Sequence, residues 1–252
     1  MDSADWYKSW FNTKDYLNLY KHRDNNDARK VVGLLFKKIR LKKGAKVLDL
    51  ACGNGRHSVL FAKMGFDTLG IDLAPHMIKQ ARKTFAAENL KFEIGDMRRI
   101  GHRNEFDLVV NLFSSFGYFE KKSENEKVIK SVSASLKKDG YFYFDFLNSE
   151  YLKKKLNPLS FEKRKDETII QLRYIRNNIS IKTILIFCNG AGGNEKNSFK
   201  RFDERVRLFD AKDFSIMFKK YGLRIIKKFG DYSGKKYEKL KSQRLILLAQ
   251  KV

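Results

Sequence analysis

The chain predicts an α/β fold, a seven-stranded and mostly parallel sheet with helices on both faces and a small antiparallel β insertion. Three observations carry this. Between residues 46 and 146, five short apolar runs alternate with amphipathic stretches of helical period, the pattern of a parallel sheet covered on both sides. A β-rich stretch follows in which two runs flank a turn signal, as in an antiparallel hairpin. After one more helix, two further apolar runs close the chain.

Residues 26–40 place Val31, Leu35 and Ile39 four apart, one stripe of a helix capped by Asn25, Asn26 or Asp27. Residues 46–50 read as a short strand containing Asp49; a glycine loop and a helix over 56–64 follow, stopped by Gly65. A second strand at 68–72 leads to Pro75, suited to a first helical turn, with Met77, Ile78, Ala81 and Phe85 on one face. Strands at 91–94, 106–112 and 141–146 come next, with a helix over 124–136 before the last. Residues 168–176 and 179–187 flank Asn177-Asn178, a tight hairpin turn; the glycine- and asparagine-rich stretch 189–197 precedes a third β-rich segment near 199–208. Asp210 caps a helix reaching Tyr221, with Ala211, Phe214, Met217 and Phe218 inward, and strands at 223–229 and 244–250 end the order. There is no internal repeat.

With 252 residues, 42% hydrophobic, the chain suits one core carrying an insertion. Two cysteines, Cys52 and Cys188, argue against a disulfide scaffold or a four-ligand zinc site, and no metal is expected. The first residues show no basic region followed by an apolar core, and no apolar run approaches the roughly 18 residues of a membrane span. A cytoplasmic protein without a membrane partner is therefore expected. The net charge of +24 is the compositional extreme, divided as +9 before residue 149 and +15 after it. Lysines outnumber arginines 37 to 16, which favours a solvated face over a bidentate phosphate grip. RNA stays the less favoured alternative partner.

The informative segment is Val47-Leu48-Asp49-Leu50-Ala51-Cys52-Gly53-Asn54-Gly55-Arg56-His57, in which a carboxylate near a strand end precedes two glycines that open a helix. Glycine lets a ligand approach the backbone, and the helix start supplies free amide hydrogens. Asp72 ends the second strand 19 residues after Gly53, where a carboxylate can accept both hydroxyls of a ribose. These two features also fit a dinucleotide-binding domain. That fingerprint, however, wants a glycine or alanine where Ser58 stands, and it has no use for Asp49.

Here the sequence resembles the class I S-adenosylmethionine-dependent methyltransferases, whose first motif is similar to Val-Leu-Asp-x-Ala-Cys-Gly-x-Gly. The resemblance continues in Gly95-Asp96-Met97 and in Phe106-Asp107-Leu108-Val109-Val110-Asn111, and covers about 44–148 and the last 45 residues. It implies a Rossmann-like core with an antiparallel last strand and S-adenosylmethionine as cofactor. It implies that Asp49 lies near the methionine ammonium, that Asp96 and the Met97 amide read adenine between Leu73 and Met77, and that Asn111 and Leu112 end beside the reactive methyl group. Ala51, Gly53, Asn54 and Gly55 form the loop, and Tyr20 and Arg23 belong to an upstream segment that could reach the cofactor carboxylate. Plainer alternatives stay open: Asp49 as a helix cap, Asp72 or Asp96 as turn residues, His57 as packing.

Methyl transfer from a sulfonium is an in-line displacement that alignment and water exclusion can largely drive. A general base is needed only for a protonated acceptor; His76, His102, Tyr118, Tyr143 and Asp145 are candidates, with Tyr118 and Asp145 kept as catalytic candidates. Two nucleic-acid chemistries lose ground: Asn111 is followed by Leu112-Phe113-Ser114 rather than prolines, and neither Pro75 nor Pro158 precedes a cysteine. The loop 111–119 and the strand end 144–148 look most like small-molecule methyltransferases, including distant relatives of glycine and sarcosine N-methyltransferases. Ser114 and Leu147 depart from the glycine branch, which would place asparagine and arginine there. An amine or hydroxyl on a larger, partly apolar molecule suits a site offering Phe113, Ser114, Phe116, Tyr118, Asp145 and Phe146, although the aromatics could equally be core. The reading is thus a small-molecule N- or O-methyltransferase, with RNA methylation or non-catalytic cofactor binding as alternatives. Its expected parts are N-terminal helices and cofactor-binding core at 1–148, a β insertion at 149–208 roofing the acceptor, and a closing helix and two strands at 209–252.

Overall fold

The computed structural model describes residues 5–21, 25–165, 167–188 and 198–252. Arg23 and the stretch 189–197 lie outside the described residues. Short apolar runs form the expected central strands: β1 (Lys46–Leu50), β2 (Asp67–Asp72), β3 (Leu90–Ile94), β4 (Phe106–Asn111) and β5 (Leu136–Leu147). With β10 (Leu223–Phe229) and β11 (Arg244–Lys251) they make one sheet in the order β10-β11-β5-β4-β1-β2-β3. Pairing is parallel from β3 to β5, and β11 runs antiparallel to both neighbours. The chain therefore starts in the middle, travels out to β3 and returns beside β1 at β4. At such a switch point the two crossovers leave opposite faces, and a crevice opens beyond the carboxyl ends of the strands.

Alternation along each strand sends side chains to two cores. Leu48, Val109, Phe142 and Leu247 pack on one face with Val128 of α6 (Lys122–Ser135) and Phe214 and Phe218 of α8 (Ala211–Lys220). Val47, Leu108, Tyr143 and Ile246 pack on the other with Val31 and Leu35 of α3 (Asn25–Phe36) and with Phe61 of α4 (Ser58–Lys63). Asp210 caps α8 as expected, in a reciprocal box with Asp213. Pro75 opens α5 (Pro75–Thr84), which buries Met77, Ile78 and Ala81, while Phe85 falls just past its end.

The insertion is a second sheet of four antiparallel strands, β6 (Leu159–Lys163), β7 (Glu167–Arg176), β8 (Ile179–Cys188) and β9 (Ser198–Arg207). Asn177 and Asn178 take φ of 50° and 58°, the left-handed pair that a tight hairpin turn requires. β6 was not anticipated, because its exposed residues carry little apolar alternation. Nor was α7 (Ser149–Lys155), capped by Asn148; N-terminal helices were expected ahead of the core, but the bounds of the two short aromatic ones, α1 (Trp6–Trp10) and α2 (Lys14–Leu19), were not. These segments are too short to show a helical period. β9 is tied to the core where Arg207 N–H donates to Gly117 O at 2.7 Å. The approach needs glycine: at φ 84° a Cβ on Gly117 would stand 2.6 Å from Arg207 O.

Candidate active site

Three adjoining cavities occupy the crevice at the switch point. The first, of about 320 Å³, runs past Asp72, Leu73, Met77, Asp96 and Met97. The second, also about 320 Å³, follows the loop after β1 past Asp49, Ala51, Asn54 and His57 to Leu112 and Phe113. Both touch Ala51, Gly53 and Met77. Gly53 has φ 56° and an added Cβ would meet nothing within 4 Å, so its bare backbone faces open space. Gly55 serves packing instead, since a Cβ there would lie 2.6 Å from the Phe92 ring.

Carboxylates organise these two cavities. Asp72 accepts from Gly53 N–H and Ala74 N–H, each at 2.8 Å, which ties the end of β2 to the glycine loop. Burial raises its pKa against those amide donors. Asp49 is 1% exposed and accepts from Ser58 Oγ at 2.6 Å at the start of α4; burial pushes its carboxyl up to about 6. Asp96 binds the Arg98 guanidinium at 2.6 Å, and although burial pushes its pKa up, Arg98 prevails and holds it low.

The third cavity, of about 430 Å³, lies between the sheets. Tyr16 and Tyr118 line all three cavities and so stand at their junction. Its walls are more charged than the sequence suggested: Arg173, Lys182 and Glu204 come from the second sheet and Arg244 from β11. Glu204 accepts from Trp10 Nε1 and Tyr20 Oη, both at 2.7 Å, and pairs with Lys182 at 2.5 Å. Burial raises the Glu204 pKa, but Lys182 and these donors lower it further, so it stays ionised. Behind the cavity, fully buried Asp145 accepts from Arg244 Nε at 2.8 Å, Tyr232 Oη at 2.8 Å and Phe113 N–H at 3.0 Å. Arg244 also donates to Ser114 Oγ at 2.9 Å. These bonds hold Phe113 and Ser114 at φ of 57° and 63°, two successive left-handed residues without glycine, a strained turn where the second and third cavities meet.

A model of the methyltransferase domain matches residues 41–199. The chain belongs to this methyltransferase family. It is 30% identical to a Bacillus subtilis (strain 168) protein provisionally named methyltransferase YqeM, over 84% of this chain and 86% of that one. It is 35% identical to the dTDP-3-amino-3,4,6-trideoxy-alpha-D-glucopyranose N,N-dimethyltransferase of Streptomyces venezuelae over 40% of this chain and 42% of the relative. In fold it resembles an S-adenosylmethionine-dependent methyltransferase from Clostridium acetobutylicum ATCC 824, with TM-score 0.77, 22% identity and coverage of 94% and 96%.

The residues of this methyltransferase fit S-adenosylmethionine. Gly53 leaves the open backbone a ligand needs, and each Asp72 oxygen holds one amide and keeps lone-pair capacity for a hydroxyl. Asn111, expected beside the cofactor, is instead buried against β1 and lines none of the three cavities; its Nδ2 donates to Leu50 O at 3.0 Å, and its Oδ1 has no partner among the described residues.

The structure gathers most of the expected site residues and relocates others. Ala51, Gly53, Asn54, Asp72, Leu73, Met77, Asp96, Met97 and Leu112 line the first two cavities, with Phe113, Ser114 and Tyr118 around the third. Tyr20 lines the second and third, with its hydroxyl on Glu204. Phe116 and Phe146, expected on the acceptor wall, are instead core: Phe116 meets Phe144, Phe146, Phe209 and Phe214 edge-on or tilted. Asp145, expected to touch the acceptor or act as a base, lines none of the three cavities and holds the 113–114 turn and Arg244 in place. Among the other base candidates, Tyr143 is buried in the core and His102 pairs with Glu105 at 2.7 Å. His57 is packed against Phe113, and burial drives its pKa down to about 3. Sequence reasoning missed Tyr7, Phe11 and Tyr16, although six aromatics between Trp6 and Tyr20 were a signal for a covering segment. It also missed Arg173, Lys182, Glu204 and Arg244, which no local pattern marks.

Proposed function

We propose that this methyltransferase transfers the methyl group of S-adenosylmethionine to a nitrogen or oxygen of a small molecule held in the third cavity. The observation that carries this reading is the cavity itself: a space of about 430 Å³, joined to the cofactor side at Tyr16 and Tyr118 and roofed by the second sheet. That volume suits a small molecule rather than a folded polymer. The N-methyltransferase name of the Streptomyces venezuelae relative supports an amine acceptor.

When bound, S-adenosylmethionine supplies a methyl group already made electrophilic by its sulfonium. The new N–C or O–C bond would form as the C–S bond broke, the sulfur keeping its electron pair in S-adenosylhomocysteine and a protonated acceptor losing its proton to water or a side chain. The protein's contribution is then alignment and exclusion of water. Asp72 and the open face of Gly53 would hold the cofactor, the strained turn at 113–114 separates the two sides, and Tyr16 and Tyr118 close the junction. In this reading Tyr118, which with Tyr16 lines all three cavities, would touch the acceptor's nucleophile.

Incubation with methyl-labelled S-adenosylmethionine and separated metabolite, RNA and protein fractions tests this. Label is expected in the metabolite fraction. Label confined to RNA or protein would replace the reading.

A further inference from the structure

The second sheet presents a row of charges to the third cavity. Arg173 on β7 is the cross-strand partner of Lys182 on β8, which in turn faces Glu204 on β9. Directly paired residues share one face of a sheet, and all three line the cavity. Two cations placed opposite each other on adjacent strands repel. Glu204 answers only one of them, with Oε2 2.5 Å from Lys182 Nζ. Arg244, the third cation of the wall, is paired with Asp145 at 2.7 Å. Glu162, the other carboxylate of the wall, is bound by Arg164 at 2.7 Å.

Arg173 is different. Its guanidinium donates to neutral oxygens, Nη1 to Ser160 Oγ at 2.9 Å and Nη2 to Gln171 Oε1 at 2.6 Å, and among the described residues it forms no ion pair. Those contacts fix the plane of the fork without neutralising it. An oriented, half-buried guanidinium that keeps its charge is a receptor for a carboxylate or phosphate oxygen.

We propose that the methyl acceptor carries an anionic group, a carboxylate or a phosphate, which Arg173 receives on the cavity face of the second sheet. This rests on the reading of the third cavity as the acceptor site. It makes Arg173 the residue that selects the acceptor, some way from the atom that is methylated.

The test starts from the native protein, methyl-labelled S-adenosylmethionine and a metabolite extract. The labelled product is then offered to carbodiimide coupling on an amine resin, which captures carboxyl groups, and to phosphodiesterase with alkaline phosphatase, which changes the mobility of phosphate esters. Reaction in either arm is expected and names the source of the charge. A labelled metabolite that reacts in neither overturns the anion proposal while leaving the acceptor site standing; label in no metabolite overturns the underlying reading instead. With the labelled acceptor, Arg173→Gln is expected to raise KM about ten- to hundred-fold while kcat changes less than about threefold. Arg173→Lys should recover part of the loss, and S-adenosylmethionine affinity, measured by calorimetry, should hold in both variants. An unchanged KM in a folded Arg173→Gln protein overturns the proposal.

Discussion

Asp72 spends one carboxylate oxygen on Gly53 N–H and the other on Ala74 N–H, so it shapes the glycine loop before any ligand arrives. Replacing it by alanine removes both anchors and the acceptors a ribose would use. Loss of such charged-group bonds predicts about 1.5–3 kcal/mol of binding, a loss from about tenfold to above a hundredfold in S-adenosylmethionine affinity by calorimetry. Unchanged affinity in a folded variant would reduce Asp72 to a loop anchor. Asp49 and His57 make a second, pH-dependent prediction. Burial raises the Asp49 carboxyl to about 6, so between the ordinary carboxylate value and 6 the folded state binds the extra proton, and stability rises as pH falls. Burial lowers His57 to about 3, so from its ordinary value down to 3 the unfolded state binds the extra proton, and stability is lost as pH falls. The two slopes oppose and largely cancel between pH 6 and 4. Asp49→Asn keeps only the His57 slope. Its stability should fall below wild type by about 1.4 kcal/mol further for each pH unit of acidification in that window, measured by urea unfolding. Parallel pH profiles would show that Asp49 does not hold its proton there. Asp72 stood out by its spacing from Gly53 and Asp49 by the family resemblance, whereas Arg244 had neither signal, since its meaning lies in Asp145, 99 residues away.

The loop between β1 and α4 separates two jobs that one glycine pattern hides. Gly53 and Gly55 both have positive φ, but only Gly55 lies against a side chain, the Phe92 ring. Gly55→Ala should therefore destabilise the fold by about 1–3 kcal/mol through overpacking in addition to left-handed strain. Gly53→Ala should cost only about 1–2 kcal/mol of backbone strain and weaken S-adenosylmethionine binding more than Gly55→Ala does, because its methyl group enters the space the ligand needs. Thermal melts with and without cofactor separate the two effects, and equal losses of binding would contradict the division. The long strands and helices were legible because burial on one or both faces leaves a period. The short helices α1 and α2 and strand β6 leave none, and these segments owe their form to what they pack on: Trp10 lies 4.3 Å from Phe202 of β9, ring to ring.

Across the whole molecule the +24 charge is carried largely by lysines on the surface, many of them in exposed pairs such as Lys241–Glu238 at 2.9 Å. Such a surface attracts polyanions without selecting among them. RNA affinity is expected to fall steeply between about 50 and 200 mM salt, with no sequence preference and no label transferred to nucleotides. Salt-resistant, sequence-selective binding with labelled RNA would contradict this. No described helix is long and apolar enough to cross a membrane. The sequence by itself determined the alternating order of the seven-stranded sheet, the hairpin at Asn177-Asn178, and the glycine turn that follows β1, because each follows from neighbours a few residues apart: strand period, turn conformation, the backbone freedom of glycine. Only the tertiary structure decided that Phe116 and Phe146 are core, that Asp145 serves a buried arginine, and that Arg173 faces a cavity with no ion-pair partner among the described residues. Those facts depend on which strands lie side by side and on which charges meet across them, and contact between segments far apart in the chain leaves no periodic trace in either one.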